Sequence, residues 1–416
     1  MKRAVVFAGG GSKGSYQLGV WTALNELGIY FDIATGTSIG SINAGLYVQN
    51  DYDRAKALWA EMDMSHVMVN GINISKSIMS LVDHMDSLRP FLKSYLGGPK
   101  GGDITPFLET LDKYADEKRF FASGIDYGAI TVKFPSLVPV EIKKSDIQPG
   151  YFKRWVTASC SCFPVFPTCE IDGQAYIDGG YYDNLPIATA LRLGADEVIA
   201  IDLNSECGHP NYTNNPKVKY IRPSRDLGTF LCFERDVIEK NIVLGYNDAM
   251  KFFGKYCGAK YTFRFEADAE PLIDKLSNEF ADEMSLFETE QLKEVPRLFA
   301  RNAVNAPCTQ LISELYKGEK LDRHKYFTGA LEITASVFGI EPDEVYSFTD
   351  ITGRLIERSE NFREYFEGTT EEALSQLSSL AKKHNTYRLL DAKMLENNYD
   401  EMIALTVLRL IYKYFK

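Results

Sequence analysis

The sequence predicts an α/β fold with a mostly parallel central sheet, followed by an all-α C-terminal region. Three observations support this prediction. The first forty residues alternate strand and helix patterns at the spacing of a βαβ unit. Further strand-like runs recur as far as residue 221, and beyond about residue 265 only helical patterns remain. We therefore expect two domains, residues 1–265 with the sheet and residues 266–416 with helices alone.

The chain opens with a strand, a glycine-rich break and a helix. Residues 3–8 form a short apolar run, and residues 16–27 place apolar side chains on one helical face before Gly28 ends the helix. A second strand is predicted over residues 31–35. Because a helix joins the two strands, they are expected to pair in parallel through a right-handed crossover.

Shorter patterns predict the remaining elements. Later strands combine β-branched or aromatic residues with flanking turn residues, and they are expected at residues 128–134, 137–142, 175–177, 198–203 and 218–221. Helical spacing predicts helices at residues 75–96 and from residue 103 onwards, and then at residues 282–301, 309–317, 326–338, 351–365, 370–384 and 394–416. Together these elements give a central sheet covered by helices.

The chain of 416 residues carries a formal net charge of −11, from 46 Lys and Arg against 57 Asp and Glu. This excess of acidic residues argues against a nucleic-acid partner, and any transient contact with a membrane surface is expected to depend on apolar side chains. Seven cysteines without metal-site spacing indicate reduced thiols and no structural metal. No apolar run is long enough for a membrane span or a signal peptide, so a cytoplasmic location is expected.

The most specific motif is Gly-Thr-Ser-Ile-Gly at residues 36–40, between the second strand and the following helix. A serine there lies on a tight strand-to-helix turn that exposes its hydroxyl, while Gly36 and Gly40 remove Cβ atoms that would clash. The positive end of the following helix lies beside the carbonyl that such a serine attacks. Ser38 is therefore the candidate nucleophile, and a simple glycine-rich turn is the alternative.

A second motif is the run Gly-Gly-Gly-Ser-Lys-Gly at residues 9–14, after the first strand. Consecutive glycines let backbone N–H groups converge, which stabilises an oxyanion or binds a phosphate. The run also satisfies the GxGxxG pattern of dinucleotide-binding proteins, and Asp32 follows about twenty residues later. However, the acid of that pattern belongs at the carboxyl end of the second strand, whereas Asp32 precedes Ile33 and Ala34 and lies near the beginning of this strand. Nucleotide binding is therefore the less favoured alternative.

A third motif is Asp178-Gly179-Gly180, directly after the strand at residues 175–177. Alone it indicates a turn, but a nucleophilic serine needs a base, and a desolvated carboxylate can act as one. None of the five histidines lies in a motif that resembles a catalytic setting. The chain order of Ser38, Asp178 and His209 also fits a histidine-dependent hydrolase, so this variant stays open.

The three motifs, in this order and spacing, resemble those of the patatin-like phospholipases. The blocks are residues 9–14, 36–40 and 178–186, with residues 158–166 as a weaker supporting stretch. The resemblance covers about residues 1–255, because Gly-Tyr-Asn-Asp-Ala at residues 245–249 is similar to the end of that domain. It implies a three-layer α/β core and a serine acyl hydrolase that acts on lipid esters.

The resemblance also implies roles for individual residues. Ser38 would attack the ester, Asp178 would accept its proton and later activate water, and the N–H groups of Gly9, Gly10 and Gly11 would hold the oxyanion. The residues expected to support this machinery are Lys13, Gly14, Gly36, Gly40, Gly179, Gly180 and Asn184. No cofactor or metal is expected. A nucleotide-binding protein and a catalytically silent scaffold remain alternatives, and head-group preference and oligomeric state stay open.

Overall fold

The structure is a computed structural model that describes residues 1–71, 101–205, 210–294, 306–317, 319–360 and 399–415. Residue contacts divide the chain into two units, Met1–Phe252 and Phe253–Lys416. This division falls before the boundary expected after residue 265, and the two predicted domains stay a prediction. The helices expected at residues 75–96 and 370–384 lie outside the described residues, as does His209.

The first unit is built on a mostly parallel sheet. Its eight strands within the described residues are β1 Arg3–Phe7, β2 Ile33–Thr37, β3 Asp126–Phe134, β4 Pro139–Lys143, β5 Cys169–Ile171, β6 Gln174–Asp178, β7 Glu197–Ile201 and β8 Val218–Ile221. Their order is β5-β6-β3-β2-β1-β7-β8, and β4 pairs with β3. Strands β3, β2, β1, β7 and β8 run parallel, whereas β4 and β6 are antiparallel to β3.

Helices of the first unit connect and cover these strands. They are α1 Ser15–Glu26, α2 Ile39–Val48, α3 Tyr52–Glu61, α4 Thr105–Tyr114, α5 Glu117–Ala122, α6 Phe152–Cys160, α7 Ile187–Arg192 and α8 Arg235–Phe252. All ten residues of α2 are buried, because this helix lies between the sheet and other helices. The predicted α/β fold with a mostly parallel central sheet is confirmed.

The second unit has its own apolar core, to which helices contribute most of the residues. Its helices are α9 Glu270–Glu294, α10 Pro307–Leu315, α11 Arg323–Val337, α12 Phe348–Ser359 and α13 Tyr399–Phe415. Two short strands, β9 Thr262–Phe263 and β10 Val345–Tyr346, pair in parallel beside them. The sequence analysis does not predict this pair, because two residues are too few to show the alternation of a strand.

Among the described residues, no helix is both long enough and apolar enough to cross a membrane. The C-terminal helix α13 has its apolar side chains in the core of the second unit, with Ile403, Val407 and Ile411 fully buried. Burial of these residues explains the apolar pattern of α13 by packing within its own unit.

Candidate active site

Ser38 lies on the tight turn between β2 and α2 that the sequence predicts. Its backbone has φ 53° and ψ −129°, a strained conformation for a residue with a Cβ atom. A Cβ atom on Gly36 would clash with the carbonyl of Gly40, and one on Gly40 would clash with the carbonyl of Phe7. Both glycines are therefore required by the close approach of backbone to backbone around Ser38.

Strand β3 brings Ser38 and Asp178 together. Thr37 at the end of β2 pairs with Ile130, and Asp178 at the end of β6 pairs with the next residue, Thr131. Since β4 occupies the other side of β3 at both positions, β2 and β6 lie on the same side and meet end to end. Neighbouring strand positions are about 3.3 Å apart, so this register places the residue after β2 beside the last residue of β6.

The carboxylate of Asp178 is buried, with 6% of the residue exposed. It accepts a hydrogen bond from the hydroxyl of Ser38 and one from the N–H of Gly180, the latter at 2.7 Å. Burial raises the pKa of Asp178 from its ordinary value of 3.8 to about 6, and the two hydrogen bonds act in the opposite direction. At neutral pH this group is mostly ionised and is more basic than an ordinary carboxylate, as a general base requires.

The glycine loop, residues 9–14, lies beside Ser38. The N–H of Gly9 donates to the carbonyl of Asn184 at 2.9 Å, and the side-chain amide of Asn184 donates back to the carbonyl of Gly9 at 2.9 Å. Within the described part of the chain, the N–H groups of Gly10 and Gly11 have no such acceptor. Of the three predicted oxyanion donors, Gly9 therefore already donates within the protein, whereas the roles of Gly10 and Gly11 stay predictions.

The other predicted supporting residues lie around the same loop. Lys13 lines the cavity in front of Ser38, whereas Gly14 is held close to Ile39 and has no room for a side chain. Gly179 has the same restriction, because a Cβ atom there would clash with the carbonyl of Ile130. Asn184 is expected to support the Asp178 loop, but its hydrogen bonds go to the glycine loop, so it joins the two loops.

The nucleotide alternative requires an acid near the glycine loop, and Asp32 is not placed there. Its carboxylate is exposed and accepts a hydrogen bond from the N–H of Arg3 at 2.8 Å, at the beginning of β2. The glycine loop follows the end of β1, which runs parallel to β2. Asp32 and the glycine loop therefore lie at opposite ends of these parallel strands. At that distance Asp32 cannot bind the ribose of a nucleotide held by the loop.

A cavity of about 390 Å³ opens in front of Ser38 and Asp178. Its polar wall is formed by the glycine loop, Lys13, Asn184 and Asn204. The apolar part of its lining comprises Ile39, Ile42, Met62, Val67, Phe107, Cys160, Val165, Phe166, Leu203, Phe230, Leu231 and Phe233. An apolar cavity that ends at a polar reaction centre suits a ligand with a hydrocarbon chain and a polar group.

Two cysteines beside the site are not alternative nucleophiles. Cys160 and Cys162 both line the cavity. Burial raises the pKa of Cys160 well above its ordinary value and that of Cys162 to about 11, with the charge of Asp178 adding to both. Both thiols are therefore protonated at neutral pH, and a protonated thiol is a poor nucleophile.

The sequence analysis missed the acceptor that holds the backbone of Ser38. The hydroxyl of Ser159, which is fully buried, accepts the N–H of Ser38 at 3.0 Å. On the same turn, the hydroxyl of Thr37 donates to the carbonyl of Asp183 at 2.8 Å, which ties β2 to the loop after β6. Ser159 belongs to a stretch that resembles the family, but its contact depends on packing between α6 and β2 that no local pattern reveals.

The site thus pairs an elbow serine with a buried carboxylate, and the serine donates a hydrogen bond to it. Both lie where strands of a mostly parallel sheet end. The protein therefore belongs to the class of α/β proteins that have a serine–carboxylate pair. The family model described as patatin-like phospholipase matches residues 5–191. Residues 5–191 are therefore similar to patatin-like phospholipases, and the resemblance predicted from the motifs is confirmed.

Individual relatives match about half of the chain. The chain is 31% identical over 210 residues to lysophospholipase NTE1 of Scheffersomyces stipitis, which covers 48% of this chain and 12% of the relative. It is 30% identical over 207 residues to patatin-like phospholipase domain-containing protein 7 of Rattus norvegicus, covering 49% and 14%. The match thus spans only a small part of these much longer relatives.

A solved structure, VipD from Legionella pneumophila, is similar over the full length of this chain and 92% of its own, at 14% identity. The TM-score is 0.40, and at that value the likeness carries no argument about fold or function.

Proposed function

We propose that the protein is a serine hydrolase that cleaves carboxylic esters of lipids through Ser38 and Asp178. The observation that carries this proposal is the meeting of β2 and β6 on β3, which pairs the elbow serine with a buried carboxylate. Support also comes from the similarity of residues 5–191 to patatin-like phospholipases and from the apolar cavity at the serine. Each of the two residues has the environment that its role requires.

In the first half of the reaction, the hydroxyl oxygen of Ser38 attacks the ester carbonyl carbon while Asp178 takes the hydroxyl proton. The N–H groups of Gly10 and Gly11 hold the negative oxygen of the tetrahedral intermediate, a contribution of about 3 kcal/mol for each donor in comparable sites. Collapse of the intermediate breaks the ester bond, and the leaving alcohol takes the proton from Asp178. Ser38 then carries the acyl group.

In the second half, Asp178 removes a proton from water, and the resulting hydroxide attacks the acyl carbon. The second tetrahedral intermediate is held by the same two N–H groups. When it collapses, the fatty acid leaves and Ser38 recovers its proton from Asp178. The cycle consumes one water and one ester, and no metal or organic cofactor takes part in it.

The substrate class follows from the cavity and the relatives. The apolar wall of the cavity is suited to an acyl chain, and its polar wall would face the ester and the head group. One of the similar relatives, NTE1 of Scheffersomyces stipitis, is named a lysophospholipase. We therefore propose glycerophospholipids with one or two acyl chains as substrates. The cavity gives no equivalent support to nucleotide binding, since Asp32 lies at the other end of the parallel strands.

An activity screen with matched variants tests this proposal. The wild type is expected to release fatty acid from a phospholipid, a lysophospholipid or a short-chain ester, and Ser38→Ala is expected to release none. Ser145→Ala is the control, because Ser145 is exposed, its hydroxyl donates to the carboxylate of Asp146, and it does not line the cavity. His209→Ala should keep nearly full turnover. Equal hydrolysis by the wild type and Ser38→Ala would overturn the proposal.

A further inference from the structure

A buried chain of side-chain amides lies behind the glycine loop and has no part in the chemistry described so far. The amide of Gln17 donates to the carbonyl of Ala8 at 2.8 Å. The amide of Asn43 donates to the carbonyl of Gly14 at 3.1 Å and to the side-chain oxygen of Gln17 at 2.7 Å. The indole N–H of Trp59 donates to the side-chain oxygen of Asn43 at 3.1 Å.

The direction of every hydrogen bond in this chain follows from Trp59. An indole can only donate, so the oxygen of Asn43 must face it, and the nitrogen of Asn43 must face the carbonyl of Gly14 and the oxygen of Gln17. The nitrogen of Gln17 is then left to face Ala8. Gln17 and Trp59 are fully buried and Asn43 is 3% exposed, so no bulk water replaces these partners. The network therefore has a single arrangement.

The two backbone carbonyls that the network binds lie at the two ends of the glycine loop. Ala8 immediately precedes Gly9, and Gly14 is the last residue of the loop. Gln17 belongs to α1, which follows the loop, and Asn43 belongs to α2, which begins directly after Ser38. The network therefore connects the loop that carries the oxyanion donors to the helix that carries the nucleophile.

We propose that Gln17 and Asn43 are positioning residues that set the distance between the nucleophile and the oxyanion donors Gly10 and Gly11. This inference rests on the proposed function of Ser38. The network fixes the loop at both ends, while Asn184 holds Gly9 between them. A displacement of about 1 Å at a reaction centre costs on the order of a hundredfold in rate, so small movements of this loop matter.

A role in stability alone makes a different prediction. Removing a buried amide leaves its partners without hydrogen bonds and destabilises the fold, but the remaining folded molecules would keep their kcat. A positioning role lowers kcat in molecules that are fully folded and leaves KM nearly unchanged, because the oxyanion exists only in the transition state. The split between kcat and KM therefore separates the two roles.

The experiment compares Gln17→Met with Gln49→Met. Gln49 is also buried and lies just after α2, but its amide donates to the carbonyl of Gly45 and accepts from the N–H of Asp116, away from the loop. Both variants are assayed for kcat and KM on an ester whose hydrolysis Ser38→Ala abolishes. Binding of an alkyl trifluoromethyl ketone, which forms an oxyanion on the serine, is measured beside binding of a non-reacting ether lipid.

We expect Gln17→Met to lower kcat by about ten- to a hundredfold and to lower the affinity for the ketone by a similar factor. The KM and the affinity for the ether lipid should change by less than about threefold. Gln49→Met is expected to keep kcat within about threefold. Trp59→Phe, which removes the indole donor that orients the chain together with part of a buried ring, should give a smaller loss in the same direction. A folded Gln17→Met enzyme with unchanged kcat and unchanged ketone affinity would overturn the inference.

Amide hydrogen exchange of residues 8–14 supplies a readout that does not depend on turnover. Exchange should become at least about tenfold faster in Gln17→Met and stay unchanged in Gln49→Met, because only the first variant releases the loop. Equal protection in both variants would contradict the positioning role, whatever the activity screen shows. Failure of the proposed function appears elsewhere, as hydrolysis that survives in Ser38→Ala.

Discussion

Burial of the ionised carboxylate of Asp178 destabilises the folded protein, and a single substitution of the same size can measure by how much. Asp178→Asn keeps the size of the side chain and an oxygen that can accept from the N–H of Gly180. It removes the charge that burial disfavours. We expect this variant to lose turnover and to be more stable than the wild type at pH 7.

The expected gain follows from the pKa of Asp178, which burial raises from 3.8 to about 6. A difference of about two pKa units corresponds to about 3 kcal/mol between the ionised and neutral forms. Because the folded state binds the proton more tightly than the unfolded state, the stability of the wild type falls as the pH rises from about 4 to about 6. Asp178→Asn should lack this fall, so its advantage is about 3 kcal/mol at pH 7 and close to zero at pH 4.

Urea unfolding followed by tryptophan fluorescence measures this difference in the right unit. The three tryptophans of the chain, Trp21, Trp59 and Trp155, all belong to the first unit, so fluorescence reports the unfolding of the unit that contains Asp178. Asp32→Asn is the control, because Asp32 is exposed and should give no gain at either pH. The reasoning would be refuted if Asp178→Asn were no more stable than the wild type at pH 7. It would also be refuted if the difference in the free energy of unfolding between the two proteins were the same at pH 4 and pH 7.

Three further predictions concern the same site. First, kcat/KM should fall by about tenfold per pH unit below about pH 6, since protonated Asp178 cannot accept a proton. If kcat/KM stays constant down to about pH 4.5, Asp178 is not the base. Second, Gly40→Ala should destabilise the first unit by at least about 3 kcal/mol in urea, because the new Cβ clashes with backbone; wild-type stability would contradict the described turn. Third, Ser159→Ala should lower kcat by about tenfold through loss of the acceptor for the N–H of Ser38; steady-state kinetics with unchanged kcat would show that this bond is dispensable.

Much of the first unit could be predicted from the sequence because its elements are long or strongly patterned. Strand β3 and helix α1 fall within two residues of their predicted bounds. Strand β2 is shifted by two residues from its predicted range of 31–35 to Ile33–Thr37, since Gly36 suggests a break where the chain is still extended towards the elbow. Strands β5, β9 and β10 were not predicted, because two or three residues show no periodicity.

The candidate site was predictable where one short segment supplies both the residue and its backbone geometry. Ser38, which lies between Gly36 and Gly40, and Asp178, which precedes Gly179, are of this kind, because their turns require these glycines. The sequence could not reveal that Gly9 donates to Asn184, because that bond joins residues 175 positions apart. Gln17 and Asn43 were missed for the same reason, although a buried amide within an apolar helix is a signal once burial is known.

The central claim is that Ser38 attacks and Asp178 accepts its proton, and the most direct measurement is the site and rate of labelling by a fluorophosphonate. We expect one covalent adduct, mapped by mass spectrometry to Ser38, with a rate that rises with pH through about 6 and that falls by at least about a hundredfold in Asp178→Asn. Ser38→Ala should take up no label, and Ser145→Ala, which changes an exposed serine, should react like the wild type. An adduct at another residue, or a labelling rate unaffected by Asp178→Asn, would contradict the claim.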